Sequence, residues 1–270
     1  MSFHDIEKLK SLVKVAAQEI LLKDFGHSEF EYKDDGSVIT PADLAMQDRL
    51  AIELRQHWPG YEVLGEEMTF EEQQAVINWA AADGHNGYWC IDPLDGTSNY
   101  AAGLPFFAVS IALIINSQQQ LGLIYDPVRD EMFTAIKGQA AYLNNQLIDH
   151  SQLKFADKPI VAEIDLKRLP DQLAIKLVTE SIFASQRNIG SSAIDWCWLA
   201  AGRFDIYLHG GQKMWDYAAG SLIFQEAGGY SISLDNEAVF RGRLETRSAL
   251  ACYDQDLFNY WYQWINIPVE

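Results

Sequence analysis

The chain has 270 residues, 49% of them apolar, and carries 38 Asp+Glu against 20 Lys+Arg, a formal net charge of −18. That length holds one large domain or two modest ones with a sizeable core, and so acidic a surface repels nucleic acid and anionic membranes. No apolar run approaches the roughly 20 residues of a membrane helix. The charged start MSFHDIEKLK is unlike a signal peptide, and the scattered Cys90, Cys197 and Cys252 predict buried free thiols in a reducing, cytoplasmic compartment.

Residues 5–25 place Ile6, Leu9, Leu12, Val13, Ala16, Ala17, Ile20 and Leu21 at helical spacing. EYKDDGSVIT follows, polar, with strand character at its end. Thr40-Pro41-Ala42-Asp43 reads as a helix start: Thr40 caps, Pro41 takes the first helical position and Asp43 the first turn. Trp58-Pro59-Gly60 stops this helix near His57. YEVLGEE predicts a strand ending at Gly65, then a short helix over 71–80. YWCID is a short buried strand, which Pro93 turns out of the sheet. FFAVSIALII, LGLIYDPV, EMFTAIKG and AAYLN follow as four strands with tight polar connections such as NSQQQ, the pattern of an antiparallel meander. The second half alternates. IVAEIDL is a strand, PDQLAIKLVTESIFAS a helix and RNIG a strand end. Ser191 or Ser192 caps a helix through Ala201, and FDIYLHG is a strand. Asp216 opens a helix, as its N-cap on the simplest reading, that ends at Gly228-Gly229. YSISL and SALACY are strands, and residues 255–265 form a closing helix. Helix and strand layers in this order predict a layered α/β sandwich, with a soft lobe boundary near 145–160.

Carboxylates collect at the ends of these elements. Glu66 and Glu67 follow Gly65, Asp92 and Asp95 flank a Pro-Leu corner, Asp216 stands at a helix start and Asp43 in a first turn. Buried together without a cation they would repel, and one would stay protonated. Hard oxygen donors without His or Cys suit Mg²⁺ or Mn²⁺ rather than zinc. In DPLDGT the Leu94 carbonyl can add a neutral oxygen ligand, Gly96 lets backbone approach a phosphate, and a helical turn beginning there would add an anion site. Thr97 can orient or deprotonate a metal-bound water with help from Asp43 or Glu66. Each piece alone also reads as a turn or a cap; the combination carries the case.

That combination resembles the inositol monophosphatase family of Mg²⁺-dependent, lithium-sensitive sugar-phosphate phosphatases. The resemblance is carried by LGEE at 64–67, WCIDPLDGTSNYAAGLPFFAVSIAL at 89–113 and WDYAAGSLIFQEAGG at 215–229. KDDGSVITPADLAMQ at 33–47 is similar to the family's N-terminal loop and following helix. It implies an αβαβα layered sandwich of the inositol monophosphatase/fructose-1,6-bisphosphatase type, a homodimer, and two or three Mg²⁺ per subunit with Mn²⁺ as substitute. By position, Glu66, Asp92, Asp95, Asp216 and the Leu94 carbonyl would be metal ligands. Gly96, Thr97 and Ser98 would cradle phosphate, Asp43 would pair with Thr97, and Lys33 with its loop would close over a further metal. Gly190, Ser191 and Ser192, with Asp95 and Asp216, would border the alcohol part of the substrate. The reaction implied is hydrolysis of an inositol phosphate or related polyol or sugar phosphate, by direct attack of metal-activated water.

One position departs from the family pattern. Inositol-selective members commonly carry a glutamate seven residues before the WD aspartate, in contact with ring hydroxyls; here it is His209. Ser192 likewise stands where a small apolar residue is frequent. His209 reads either as a specificity residue or as an exposed loop residue. Fructose 1,6-bisphosphate, histidinol phosphate and 3′-phosphonucleotides are the alternative substrates. A catalytically silent, protein-binding member is the alternative of another class.

Overall fold

Helix α1 (Phe3–Asp24) forms over the periodic run of the N-terminus, and its buried stripe, Ile6, Leu9, Val13, Ala16, Ala17 and Leu21, packs against α2 (Pro41–His57). The computed structural model describes residues 3–82, 87–149, 159–180 and 182–266. Between the two helices β1 (Glu31–Tyr32) and β2 (Val38–Ile39) make a small antiparallel hairpin. Then come β3 (Glu62–Gly65), α3 (Phe70–Ala81), β4 (Tyr88–Asp95), α4 (Thr97–Ala101), β5 (Ala108–Ile115), β6 (Gln118–Asp126), β7 (Glu131–Ile136), β8 (Ala141–Leu143) and β9 (Gln146–Leu147). Strands β3 to β9 form one seven-stranded sheet in sequence order, parallel at β3–β4 and antiparallel beyond.

The second half supplies β10 (Val161–Asp165), α5 (Asp171–Thr179), β11 (Ser185–Arg187), α6 (Ser192–Ala200), β12 (Ile206–Gln212), α7 (Met214–Glu226), β13 (Tyr230–Ile232), β14 (Arg247–Cys252) and α8 (Gln255–Ile265). These strands make a five-stranded sheet in the order β11-β10-β12-β14-β13.

Side chains alternate across a strand, so a strand buried on both faces feeds two cores. Trp89 and Ile91 of β4 face the core under α1 and α2, while Tyr88 and Cys90 face the core around α6 and α7. Tyr207 of β12 joins that middle core, and Ile206 and Leu208 pack outward with Trp261 of α8. The layers are therefore helices, sheet, helices, sheet, helices, the αβαβα sandwich. The middle helices are apolar nearly all round, as a layer between two sheets requires. Close approach there depends on glycine: a Cβ on Gly220 would lie 2.5 Å from Trp196 Cβ, and one on Gly122 of β6 would lie 2.7 Å from the Ala219 carbonyl. Among the described residues no helix is long and apolar enough to cross a membrane. Cys90, Cys197 and Cys252 are buried free thiols.

Four expectations need correction. Pro93 does not end the strand: β4 runs on through Asp95, with its register against β5 broken between Asp92 and Asp95. The helix expected over 170–185 ends at Thr179, and Ser185 already belongs to β11. Polar NSQQQ is mostly strand: the turn is Asn116-Ser117, both at positive φ, and β6 starts at Gln118. Asp216 is not an N-cap, since α7 begins at Met214. The suggested lobe boundary lies largely in 150–158, outside the described residues.

Candidate active site

Two residues three apart on a regular strand face opposite ways. Asp92 pairs with Ser110 and Asp95 with Ala108, three steps along β4 against two along β5. The extra residue is a bulge, and it returns Asp95 to the face of Asp92. Asp92 is 1% exposed, and its Oδ1 accepts the Leu94 N–H at 3.0 Å. Asp95 Oδ2 accepts from the Ser191 hydroxyl and, at 2.7 Å, from the Ala193 N–H, so it sits on the first turn of α6, where a negative charge is favoured. Ser191, not Ser192, is the N-cap of α6.

Asp216 enters from the first turn of α7, where its Oδ2 accepts the Lys213 N–H at 2.8 Å. The Ser110 hydroxyl donates to the Trp215 carbonyl at 3.0 Å and ties that helix start to β5. Oxygens of Asp92, Asp95 and Asp216 lie within 4.8 Å of one another. Glu66, at the end of β3, reaches the same cavity, whose volume is about 510 Å³. Lys33 from the β1–β2 turn places its Nζ 3.3 Å from Glu66 Oε1 and 2.8 Å from Glu67 Oε1. Among the described residues no ion pair reaches Asp92, Asp95 or Asp216.

Burial without a cation pushes these carboxyls up: Asp95 to about 6, against the hydrogen bonds from Ser191 and Ala193, and Glu66 to about 7, against the charge of Lys33. Asp92 and Asp216 rise well above the usual range, chiefly by burial and then by the neighbouring carboxylates. The donor set fits a hard divalent cation: anionic oxygens only, buried and mutually repelling. The folded state holds protons that the unfolded chain releases near pH ~4, so this stabilising term is complete below that pH and lost as pH rises through 6 and 7. Melting in chelator and in Mg²⁺ at pH 5 and pH 8 should show the larger Mg²⁺-induced rise at pH 8. An equal rise at both pH values would contradict this account of the cluster.

Thr97 opens α4 directly behind the cluster. Its hydroxyl lies 2.9 Å from Asp43 Oδ1 and 2.9 Å from the Leu94 carbonyl. Asp43 is fully buried, and its Oδ2 accepts from the Thr40 N–H at 2.8 Å and the Thr40 hydroxyl at 2.6 Å. Gly96 is held at φ +92°, and a Cβ there would lie 2.7 Å from the Phe106 carbonyl. This turn therefore needs glycine even without a ligand. Ser98 is exposed and lines the cavity. Asn99 Nδ2 donates to the Phe106 and Ile189 carbonyls, each at 2.8 Å, pinning Gly190 beside α4.

The far end of the cavity is formed by β10, β12 and the start of α6. His209 is not an exposed loop residue: it lies within β12 and is 5% exposed. Its Nδ1 accepts the Gly211 N–H at 3.1 Å, and its Nε2 lies 3.3 Å from Asp165 Oδ2. Burial lowers its pKa, against the pull of Asp165. Ser192 lines the same end. Sequence reasoning missed Asp165, Arg168, Asn188 and Asp195, which also line the cavity. The parallel pairing of β10 with β12 is what sets Asp165 beside His209.

A sequence profile described as the inositol monophosphatase family matches residues 4–258. Inositol monophosphatase 1 of Solanum lycopersicum is 36% identical over 222 residues, covering 79% of this chain and 78% of that one. A Nus factor SuhB of Pasteurella multocida is 35% identical over 202 residues, covering 73% and 72%. The crystal structure of the extragenic suppressor protein suhB of Bartonella henselae superposes with a TM-score of 0.81 at 25% identity, covering 98% of this chain and all of that one.

Proposed function

The chain belongs to the inositol monophosphatase family, and on that premise we propose that it is a Mg²⁺-dependent phosphomonoesterase, releasing inorganic phosphate from a small polyol or sugar phosphate. The observation that supports this most is the convergence of Asp92, Asp95 and Asp216 within 4.8 Å, beside Glu66 and the Thr97–Asp43 pair. Glu66, Asp92, Asp95, Asp216 and the Leu94 carbonyl would hold the metal ions, Mg²⁺ or in its place Mn²⁺. When bound, these ions supply the positive charge that attracts a phosphate dianion to a protein of charge −18 and stabilises charge during in-line displacement.

The residues have separate tasks. The first-turn N–H groups of α4 lack partners within the helix and bind phosphate oxygens. The Thr97 hydroxyl donates a hydrogen bond to Asp43 or to the Leu94 carbonyl, so its lone pairs can orient an attacking water. Burial raises the Asp43 carboxyl, its two bonds from Thr40 and one from Thr97 favour the anionic form, and the pair keeps Thr97 in place. Ser191 and the α6 N-terminus hold Asp95 rigid. Family resemblance implies a homodimer, and the scattered free thiols fit a cytoplasmic location.

A second reading, a catalytically silent, protein-binding member, has behind it the 35% identity to a relative described as a Nus factor. The complete carboxylate set favours chemistry, whether or not that role exists beside it. Phosphate release is measured with and without Mg²⁺ on myo-inositol 1-phosphate, glycerol 2-phosphate, fructose 1,6-bisphosphate, histidinol phosphate and adenosine 3′,5′-bisphosphate. Release that depends on Mg²⁺ is expected from at least one. None from any, with Mg²⁺ or Mn²⁺, would overturn the phosphatase reading in favour of the binding role.

A further inference from the structure

Arg168 is a cation at the alcohol end of a cavity that Lys33 and Lys213 also line. It closes a short 3₁₀ turn, Leu166–Arg168, which Asp165 caps by accepting the Lys167 N–H at 3.1 Å. Its Nε lies 3.2 Å from Asp165 Oδ2, and a guanidinium N–H reaches the Gly211 carbonyl at 3.4 Å. The side chain is nevertheless 56% exposed and lines the cavity that also holds Asp92, Asp95 and Asp216.

The surroundings are arranged around that guanidinium. Asp165 Oδ2 is shared between Arg168 and His209, whose other nitrogen already accepts from Gly211, so His209 has no polar atom left for a substrate. The 3₁₀ turn lies so close to β12 that a Cβ on Gly210 would lie 1.7 Å from the Arg168 carbonyl. A glycine at that one position lets the turn settle on the strand, beside the bulge between His209 and Gln212. Asp165 is paired with Arg168, and burial, then the neighbouring Glu163, pushes the Asp195 carboxyl well above the usual carboxylate range. This end of the cavity presents a planar cation held in orientation by Asp165 and the Gly211 carbonyl. Its fork matches carboxylate and phosphate oxygens.

We propose that Arg168 determines specificity, and that the preferred substrate carries, beyond the phosphate that is cleaved, a second anionic group, phosphate or carboxylate, which the guanidinium binds. This rests on the phosphomonoesterase reading and narrows its substrate class. Asp165 and His209 act as positioning residues for Arg168.

The test compares kcat/KM within matched pairs: fructose 1,6-bisphosphate against fructose 1-phosphate for a phosphate, and 2-phosphoglycerate against glycerol 2-phosphate for a carboxylate. A charged hydrogen-bonded contact predicts a preference of about 10- to 100-fold for the doubly anionic member of one pair, and the pair that shows it names the anion. In Arg168→Ala, or Arg168→Gln should the alanine variant fold poorly, the ratio falls to about one; Arg168→Lys restores part of it. A ratio near one in both wild-type pairs, or a preference that survives Arg168→Ala, overturns the inference while leaving the phosphatase reading standing. Calorimetric titration of the same pairs into Ca²⁺-loaded protein applies the same criterion to dissociation constants. Absence of hydrolysis with any compound defeats the phosphatase reading, and the calorimetric ratio still decides the role of Arg168.

Discussion

Asp92→Asn is expected to lower phosphate release by about 10²- to 10³-fold, the scale of removing one part of a preorganised electrostatic site. The substitution is close to isosteric. The amide oxygen can still accept the Leu94 N–H that Asp92 Oδ1 accepts at 3.0 Å, so the bulge keeps its shape. What is lost is one negative charge at the centre of Glu66, Asp95 and Asp216. Without metal that charge is a liability, because it is buried among like charges. The variant should therefore melt higher than wild type in chelator, by about 2–4 °C for each kcal/mol of repulsion relieved, and should lose most of the Mg²⁺-induced rise. Opposite signs for activity and for chelated stability mark a residue retained for function rather than for folding. Near-normal turnover would sink the carboxylate site. A lower melting point in chelator would instead make Asp92 a structural residue.

The sequence carried the chemistry of this site better than its geometry. The types of residue in DPLDGT, LGEE and WDYAAG are visible as letters, and so is their need for a cation. How Asp92 and Asp95 come to face one cavity is not. A corner at Pro93 seemed required, whereas the strand continues and a single unpaired residue does the work, a choice made by the pairing of β4 with β5. The helix expected after Pro170 failed for a related reason. ESIFAS is apolar enough to extend it, but Ser185–Arg187 gains a sheet edge beside β10, and tertiary pairing overrides propensity. Lys33 was legible as a loop residue near the metals. Its pairing with Glu66 and Glu67 depends on where the β1–β2 hairpin lands. His209 was visible as a departure from a family pattern, but its meaning was hidden. A histidine in YLHGG reads as a turn until β12 is paired on both sides and the ring is enclosed between Asp165 and the Gly211 N–H. Residues that act through a neighbour on another strand leave no mark in their own sequence.

Thr97→Val is the second large effect, an expected loss of about 10²–10⁴ in kcat, the range of a positioned proton-transfer group. A hydroxyl has one proton to give, and here two acceptors stand at 2.9 Å, Asp43 Oδ1 and the Leu94 carbonyl. Either bond leaves the oxygen lone pairs for a water on the cavity side. Valine keeps the shape and removes both functions, leaving Asp43 buried with one oxygen unpartnered. Thr97→Ser keeps the hydroxyl and should retain most activity. Asp43→Asn separates the two roles: it removes the charge, yet its amide can still bond Thr97, so its loss should be smaller than that of Thr97→Val and carry a changed pH profile. Asp43 is raised by burial and held down by Thr40 and Thr97. Wild-type activity should therefore fall at low pH as Asp43 takes a proton, and this limb should vanish in Asp43→Asn while the limbs of the metal-site carboxyls persist. Serine behaving no better than valine at position 97 would show that the side chain only packs. An unchanged acid limb in Asp43→Asn would show that Asp43 serves the fold of α2 and not the reaction.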